Sequence, residues 1–472
     1  MATQEAAAAP QAAGGARRLS LLRVLGPMHV WALGVGIVLV GEFMGWNFTV
    51  AKGGVFGALV ACWFAGILYS CVAMIDSEVS STVASAGGQY AQMKHMIGPL
   101  AAFNMGLFLI FEYTMLAAAD SIVIGAIMSS LSPAFTPLPW VLLTILFLTW
   151  LNYRGVHLSL TFNFVITAIA FLTIIILLFG GEFWNPGKIF QTSELFAVQP
   201  DGVDPKAPYG WLGFLAALQF GIWYYLGIEG TCQTAEECRS VPRALPIGTM
   251  SGLITLLIAA TITWFVGTSL VDWVTLGESA FPLYDAALNT GRQWLVVILF
   301  IGTFLSCLAS ANGCINDASR AWFAMGRDQF VPRFFGGVHP RYRTPYRAIL
   351  FLVPIMMGFG YTGLLDQVIT FSIISGLLMY AIMPINMIRF RRLYPMGSIP
   401  RGYVHPFHPA PSIVLLLFCI ATFIAIYFGY WKNLIAAMAF YIIVSLWFVF
   451  RRYKMVDRSR LYTMPWPRPK GY

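Results

Sequence analysis

The stretch GEFMGWNF, residues 41–48, interrupts an apolar run that is otherwise typical of a membrane-spanning helix. It follows WALGVGIVLV and precedes GVFGALVACWFAGILYSCVAMI, so its polar residues fall where a spanning helix is normally most apolar. A charged side chain at the bilayer centre costs about 2.5–3.5 kcal/mol on insertion scales. Glu42 therefore indicates a functional site within the membrane. Gly41 and Gly45 beside it predict that the helix is broken there, because glycine tolerates irregular backbone.

The composition places the whole chain in a membrane. Of its 472 residues, 58% are hydrophobic and 10% are charged, and the mean hydropathy is +0.73. Soluble globular chains carry about 25% charged residues. The net charge of +9 comes from basic residues that lie between apolar runs rather than on one face. This distribution argues against nucleic acid as a partner.

Apolar runs of about 20 residues, which are long enough to cross about 30 Å of hydrocarbon, recur along the chain. We therefore predict an all-α polytopic membrane protein with twelve transmembrane helices. The predicted spans lie near 28–51, 54–76, 98–129, 138–153, 157–180, 210–231, 246–271, 293–322, 347–363, 366–388, 411–429 and 433–450.

The distribution of Lys and Arg predicts the orientation in the membrane. With the N-terminus inside, most basic residues fall in cytosolic segments, as the positive-inside rule requires. We therefore expect both termini to be cytosolic. The opposite side then holds only Lys52, Lys188, Lys206, Arg292 and Lys432.

A second interruption lies in the sixth predicted span, within YLGIEGTCQTAEE (225–237), where Gly227 and Gly230 flank Glu229. Glycine is common in membrane helices, so one such segment alone would carry little weight. Two interrupted segments five spans apart, each with a carboxylate, are typical of inverted-repeat transporters. We predict a five-plus-five inverted repeat whose helices 1 and 6 are broken at mid-membrane, at Gly41–Asn47 and Gly227–Gly230.

This architecture divides the chain into four parts. Residues 1–24 are Ala-rich and are expected to form a disordered cytosolic tail. Residues 25–388 hold the inverted-repeat core, which is helices 1 to 10. Residues 389–450 hold helices 11 and 12, and residues 451–472 form a basic cytosolic tail.

Several separate stretches resemble the amino acid–polyamine–organocation permeases, over nearly the whole chain after the tail. They are SEVSSTVASAGGQYAQMKHMIGP (77–99), LNYRGVHLS (151–159), FGIWYYLGIEGTCQTAEECRSVPRALP (220–246) and SRAWFAMGRDQFVPRFFGGVHPRYRTPYRA (319–348). Within that family, GEFMGWNFTVAKGGVFG (41–57) and IFEYTMLAAA (110–119) are similar to ethanolamine permeases. The resemblance implies a secondary transporter that moves a small amine or an amino acid across the cytoplasmic membrane by alternating access. An amino acid exchanger, or a cationic or neutral amino acid permease, is the alternative within the same superfamily.

The candidate substrate-binding residues lie in spans 1, 3 and 6, the helices that surround the site in this family. No Lys or Arg lies deep in these spans, so a protonated amine is a natural partner for their carboxylates. The aromatic candidates would add faces for a cation. Glu112 has a second possible role, a hydrogen bond to a neighbouring helix. The predicted set is Gly41, Glu42, Gly45, Trp46, Glu112, Phe220, Trp223, Tyr224, Gly227 and Glu229.

Coupling stays open among a proton, a sodium ion, exchange and facilitated diffusion. In several related permeases a span-5 lysine takes the place of a sodium ion, but residues 157–180 contain no Lys or Arg. Hydroxyls at helical spacing in span 8 offer oxygens, although such groups more often bond their own backbone. These polar residues are Thr303, Ser306, Ser310 and Asn312.

Charged residues at the cytosolic end of span 6 form either inner-gate ion pairs or a solvated loop. The residues considered are Glu78, Glu236, Glu237, Arg239, Arg243, Arg320 and Arg327.

Other function classes lack their sequence signatures. A channel needs a repeated pore motif or rings of selectivity residues, and a membrane enzyme needs a catalytic constellation. No Walker-type phosphate loop is present, so the chain is not predicted to be an ATP-driven pump. We expect no enzyme activity, no cofactor and no metal site. The expected partners are the small amine or amino acid, a coupled H+ or Na+, and the lipid bilayer.

Overall fold

The computed structural model describes residues 21–132, 134–180, 213–279 and 281–461, and this part of the chain is almost entirely helical. Most of the two predicted tails, at 1–20 and 462–472, and the segment 181–212 lie outside the described residues. The helices are α1 Pro27–Met44, α2 Trp46–Thr82, α3 Gly88–Met96, α4 Pro99–Leu131, α5 Pro137–Arg154, α6 Val156–Gly180, α7 Gly213–Gly221, α8 Val241–Leu270, α9 Trp273–Glu278, α10 Pro282–Asn289, α11 Gln293–Arg327, α12 Tyr346–Thr362, α13 Leu365–Leu393 and α14 Ala410–Trp447.

The predicted spans all have helical counterparts within the described residues. Eight helices there are long and apolar enough to cross a membrane. Helix α2 contains the end of span 1 and all of span 2, which are separated by a turn at Gly54 with φ 67°. Helix α14 contains spans 11 and 12, with a kink at Tyr430. Helices α5 and α12 are spans 4 and 9, and α7 begins the described part of span 6. The predicted all-helical, polytopic fold is confirmed.

Both predicted interruptions are present, but they differ in size. Helix 1 is interrupted only at Gly45, where the backbone stays near helical values with φ −89° and ψ −14°. The interruption is therefore shorter than the predicted range, because residues 41–44 remain within α1. Helix 6 is broken more widely, since α7 gives way to 3-10 turns at 222–224 and 228–237.

The broken helix 1 lies at the centre of the bundle. In α1 almost every residue from Val30 to Met44 is buried, so the helix has no polar face. Helix α4 is also internal, because 89% of its most apolar 18-residue stretch is buried. In the helix that begins at Ala410, only 33% of such a stretch is buried. The carboxylates of spans 1 and 3 are therefore held inside protein, and the last two spans present apolar residues to lipid.

Candidate functional site

Glycines at the helix 1 interruption allow its backbone to pack directly against helix 6. A Cβ atom added at Gly41 would lie 2.6 Å from the carbonyl oxygen of Trp223. A Cβ atom added at Gly45 would lie 2.9 Å from the ring of Tyr224. Side-chain carbons do not approach other atoms this closely, so the contact between the two broken helices requires glycine at both positions.

Glu42 follows Gly41 directly and is fully buried. Its carboxyl accepts one hydrogen bond, from the hydroxyl of Thr263 in α8, which lies 3.5 Å from Oε2. In the part of the chain that the structure describes, no donor reaches Oε1 and no Lys or Arg pairs with this group. An isolated carboxylate away from water is costly unless it is partnered. Glu42 therefore needs a proton or a cationic ligand.

Trp46 holds in place the side chain of Thr263, which donates the hydrogen bond to Glu42. Its indole Nε1 donates to Thr263 Oγ1 over 2.9 Å, and its ring stacks on Tyr224 with the centroids 4.4 Å apart. The Tyr224 hydroxyl lies 2.7 Å from Thr49 Oγ1. Because each ring covers one face of the other, at most one face of each is left for a cation.

Phe220 and Trp223 belong to a second aromatic cluster beside the interruption. The ring of Phe48 stacks on Phe220 with the centroids 4.7 Å apart, and it lies 6.0 Å from Trp223. Trp223 is only 2% exposed, and its Nε1 has no acceptor among the described residues. These rings join the short helical segment after Gly45 to helix 6.

Glu229 and Glu112 form an acid pair at the helix 6 break. Glu229 follows Gly227, whose φ of 108° lies in the left-handed region that favours glycine. Tyr113 donates to Glu229 Oε1 over 3.2 Å, and Tyr380 donates to Glu112 Oε1 over 3.5 Å. Both acids are fully buried.

The structure separates Glu42 from this acid pair. Among the described residues, no hydrogen bond joins Glu42 to Glu112 or Glu229. Glu42 faces α8 through Thr263, whereas the pair is bonded to Tyr113 of α4. The three carboxylates from spans 1, 3 and 6 therefore form two groups rather than one.

Sequence reasoning missed Thr263, Tyr113 and Asp317. Asp317 of α11 is fully buried, and neither of its carboxyl oxygens has a partner within the described residues. It contacts the turn at Gly230, where an added Cβ would meet Asp317 Oδ2. The sequence carried a signal for it, an acid inside the predicted span 293–322. Nothing in the sequence distinguishes the threonine or the tyrosine from other polar residues of the spans.

Ion pairs join the helices at the ends predicted to be cytosolic. Arg320 Nε lies 2.6 Å from Glu237 Oε2, and Arg327 Nη2 lies 2.8 Å from Glu236 Oε1. Burial acts to raise the pKa of Glu236, but the neighbouring Arg327 outweighs it and holds that pKa below its ordinary value. For these four residues the structure contains ion pairs rather than a solvated loop.

Glu78 has different partners from those considered in the sequence. Its carboxyl accepts hydrogen bonds from Arg391 over 2.6 and 3.0 Å, from Arg401, and from the backbone N–H of His405 over 2.9 Å. These groups lie at the end of α13 and in the segment before α14. The connection between spans 10 and 11 is thereby tied to the end of span 2. Within the described residues, no ion pair is formed by Arg239 or Arg243.

The polar residues of α11 that were considered as cation ligands are largely committed to helix contacts. Thr303 donates to the carbonyl of Leu299 over 2.9 Å, and Ser306 donates to the carbonyl of Thr303 over 2.8 Å. Asn312 Oδ1 accepts from Asn152 over 2.8 Å. These contacts favour a packing role for the three side chains.

Comparison with known proteins places these features in a family. Residues 28–462 match the family described as amino acid permease. A transporter from Rhizobium meliloti (strain 1021) is 59% identical over 460 residues, which cover 96% of this chain and 97% of that protein. The branched-chain amino acid permease of Bacillus subtilis (strain 168) is 24% identical, over 92% of this chain and 94% of its own. The vacuolar cationic amino acid transporter 4 of Arabidopsis thaliana is 26% identical, over 70% of this chain and 57% of its own.

The family match and the Rhizobium meliloti relative both extend over nearly all of the described residues. Because the family and relative names all denote permeases or transporters, they indicate transport rather than catalysis. This polytopic, all-helical membrane protein belongs to the amino acid permease family and is a transporter of small molecules.

Proposed function

We propose that this chain is a secondary transporter that moves a small amine, such as ethanolamine, across the cytoplasmic membrane by alternating access. Both termini lie in the cytosol. The observation that carries the proposal is Glu42, a fully buried carboxylate at the helix 1 interruption whose single hydrogen bond among the described residues comes from Thr263 at 3.5 Å. A protonated amine supplies the charge and the N–H donors that this carboxyl lacks.

The position of Glu42 favours an amine over an ordinary α-amino acid. In most permeases of the family that the sequence resembles, small residues at the first break bind the substrate carboxylate through backbone N–H groups. A negative side chain at this position repels a substrate carboxylate, and the repulsion is strong in a medium of low dielectric constant. Trp46 and Tyr224, which stack on each other beside it, add an aromatic surface that suits a cation.

The charged residues at the cytosolic end support alternating access. The Arg320–Glu237 pair joins α11 to the end of the helix 6 break, and Glu78 joins α2 to Arg391 of α13. With these pairs formed, Glu42 is closed off from water. Opening towards the cytosol therefore requires that these pairs separate, and closing requires that they form again.

An amino acid exchanger or permease is the second candidate. The observation in its favour is the name of one relative, which aligns with this chain over 94% of its own length. That relative is named a branched-chain amino acid permease. Under this alternative, the ammonium group of an amino acid binds the buried acids, and its carboxylate binds elsewhere in the interruption.

Uptake into proteoliposomes distinguishes the two candidates. The purified protein is reconstituted and given radiolabelled ethanolamine or a panel of neutral and cationic amino acids, with protein-free liposomes as the blank. We expect saturable ethanolamine uptake that the amino acids compete with weakly. Uptake of amino acids without uptake of ethanolamine would support the second candidate. Uptake of neither class would contradict the proposed function.

A matched pair of variants tests whether the buried acid matters. Glu42→Gln removes the charge at the interruption, and Asp366→Asn makes the same kind of change at an exposed residue of α13. We expect the first variant to lose ethanolamine uptake at low substrate concentration and the second to match the wild type.

A further inference from the structure

The short helix α3 carries a buried glutamine that bonds to two other parts of the bundle. Gln89 Nε2 donates to Asp76 Oδ2 of α2 over 2.5 Å and to the backbone carbonyl of Glu229 over 3.1 Å. Its Oε1 accepts a hydrogen bond from Gln233 Nε2 over 2.8 Å. Glu229 and Gln233 both lie in the 3-10 segment 228–237 of the broken helix 6. One fully buried side chain therefore joins helix 2 to the helix 6 break.

Two glycines let the start of α3 pack directly on that segment. Gly87 and Gly88 have φ values of 89° and 38°, in the left-handed region that favours glycine. A Cβ atom added at Gly88 would lie 2.9 Å from Gln233 Nε2 and 3.1 Å from the backbone carbonyl carbon of Cys232. Gln89 follows directly, so the backbone itself holds its amide within reach of helix 6.

A second set of contacts attaches α3 to α11. Lys94 Nζ lies 2.6 Å from Asp328 Oδ2, and the Tyr90 hydroxyl donates to the same oxygen over 3.1 Å. Asp328 directly follows the last residue of α11. A Cβ atom added at Gly87 would lie 2.6 Å from Ala324 Cβ of α11. The attachment of α3 to α11 is therefore separate from the bonds that Gln89 makes to helix 6.

Helix 6 is joined to α11 by different contacts, the ion pairs Arg320–Glu237 and Arg327–Glu236. Under the proposed transport function these pairs separate when the cytosolic side opens, and the segment 228–237 moves away from α11. Since α3 keeps its own attachment to α11, the same movement pulls that segment away from Gln89.

We propose that Gln89 is a positioning residue for transport, which holds the helix 6 break in the closed conformation and releases it when the cytosolic side opens. Both N–H groups and the oxygen of its amide are engaged, and two of its three hydrogen bonds reach helix 6. Opening therefore breaks these two bonds, and a variant that lacks them favours the open state. This inference rests on the proposed alternating access.

Gln92 lies three residues further along α3 and provides a matched control. It is also buried and also donates to Asp76, over 3.2 Å. Its remaining hydrogen bonds join it to Ser80 Oγ over 2.7 Å and to Asn386 Nδ2 over 3.1 Å. Among the described residues, none of its hydrogen bonds reaches helix 6.

The thiol of Cys232 reports the opening of the contact between α3 and helix 6. Cys232 is buried in the segment 228–237, directly against Gly88. A buried thiol is alkylated through molecules that have opened, so its alkylation rate follows the open fraction when opening and closing are fast. The purified protein is treated with N-ethylmaleimide without substrate, and the rate at each cysteine is read by peptide mass spectrometry. Cys307 of α11 and Cys419 of α14, both buried, are internal controls, because the bonds of Gln89 do not reach their helices.

Gln89→Met keeps the length of the side chain and removes its hydrogen bonds. We expect it to raise the rate of Cys232 alkylation by about tenfold, because each lost hydrogen bond contributes a factor of several. Gln92→Met should leave that rate within about twofold of the wild type. Gln233→Met removes one of the bonds and should raise the rate by less than Gln89→Met does. The double variant of Gln89 and Gln233 should match Gln89→Met, since the bond between the two glutamines is then already lost.

The outcomes separate this inference from the proposed function. A Cys232 rate that is unchanged in Gln89→Met, or raised equally in Gln92→Met, would overturn the role of Gln89. If Gln89→Met also raises the rates at Cys307 and Cys419, it has lost its fold. The comparison then passes to Gln233→Met, for which an unchanged Cys232 rate would overturn the role of Gln89.

Uptake of ethanolamine and amino acids by the wild type tests the proposed function on its own. Absence of all uptake would overturn that function and this inference with it. A failed prediction at Cys232 in a protein that transports would overturn only the role of Gln89.

Discussion

Replacement of Glu42 by glutamine removes the charge at the helix 1 interruption while keeping the shape of the side chain. The amide oxygen of glutamine can still accept the hydrogen bond from Thr263, which is the only hydrogen bond that the Glu42 carboxyl accepts among the described residues. We therefore expect Glu42→Gln to fold normally. Its effect on amine binding then reports the loss of the charge alone.

The magnitude follows from the contacts of Glu42. The Thr263 hydroxyl is distant, at 3.5 Å, so a bound ammonium would be the strongest partner of the carboxylate. A hydrogen bond to a charged group contributes about 1.5–3 kcal/mol. Since about 1.4 kcal/mol corresponds to a factor of ten, Glu42→Gln should weaken amine binding by roughly ten- to a hundredfold.

Equilibrium binding of labelled ethanolamine to the purified protein, measured across roughly pH 5.5 to 8, checks this prediction. Glu229→Gln makes the same chemical change at the helix 6 break and serves as the matched control. We expect it to change amine affinity by less than Glu42→Gln does. Wild-type affinity of Glu42→Gln over the whole pH range would refute the ammonium role. A large loss confined to Glu229→Gln would move that role to helix 6.

Three further predictions concern Trp223, Glu78 and His405. Trp223→Ala should lower turnover more than equilibrium binding if the indole gates the site, whereas equal losses in the two assays would make Trp223 only a wall of the site. Glu78→Gln should lower the free energy of unfolding by about 3 kcal/mol, because it leaves the arginines at 391 and 401 without their carboxylate. Thermal unfolding in detergent measures this, and a change below about 0.5 kcal/mol would contradict it. Burial lowers the pKa of His405, so its contribution to stability is complete above about pH 6.5 and is lost as the pH falls. His405→Asn should therefore flatten the acid side of a plot of unfolding temperature against pH, and an unchanged acid side would argue against this contribution.

The sequence by itself determined the class of the protein and the places where its helices are interrupted. Spans can be read locally, because the cost of burying polar backbone in lipid forces each apolar run of about 20 residues into a helix. The interruptions at Gly45 and Gly227 can be read for the same reason, since polar residues and glycines are conspicuous inside such runs. The length of each interruption could not be predicted from the sequence. Only the packing of helix 1 against helix 6 shows that residues 41–44 stay helical.

Only the tertiary structure decided which charges meet. Glu42 and Glu229 occupy corresponding positions in two broken helices, yet one accepts a hydrogen bond from Thr263 of α8 and the other from Tyr113 of α4. The face that a side chain presents depends on the rotation of its helix and on the neighbours that pack against it. A uniformly apolar helix such as α1, which is buried on all sides, carries no hydropathy pattern that records this rotation.

The partners of Glu78 also could not be predicted from the sequence, because they are far away along the chain. Its arginines lie more than three hundred residues away along the chain, in a connection that reads as an ordinary basic loop. The positive-inside rule predicts the side of the membrane on which such residues lie, but not which acid each one binds. That choice is made when spans 2 and 10 pack together, because packing fixes the distance between side chains that the sequence leaves independent.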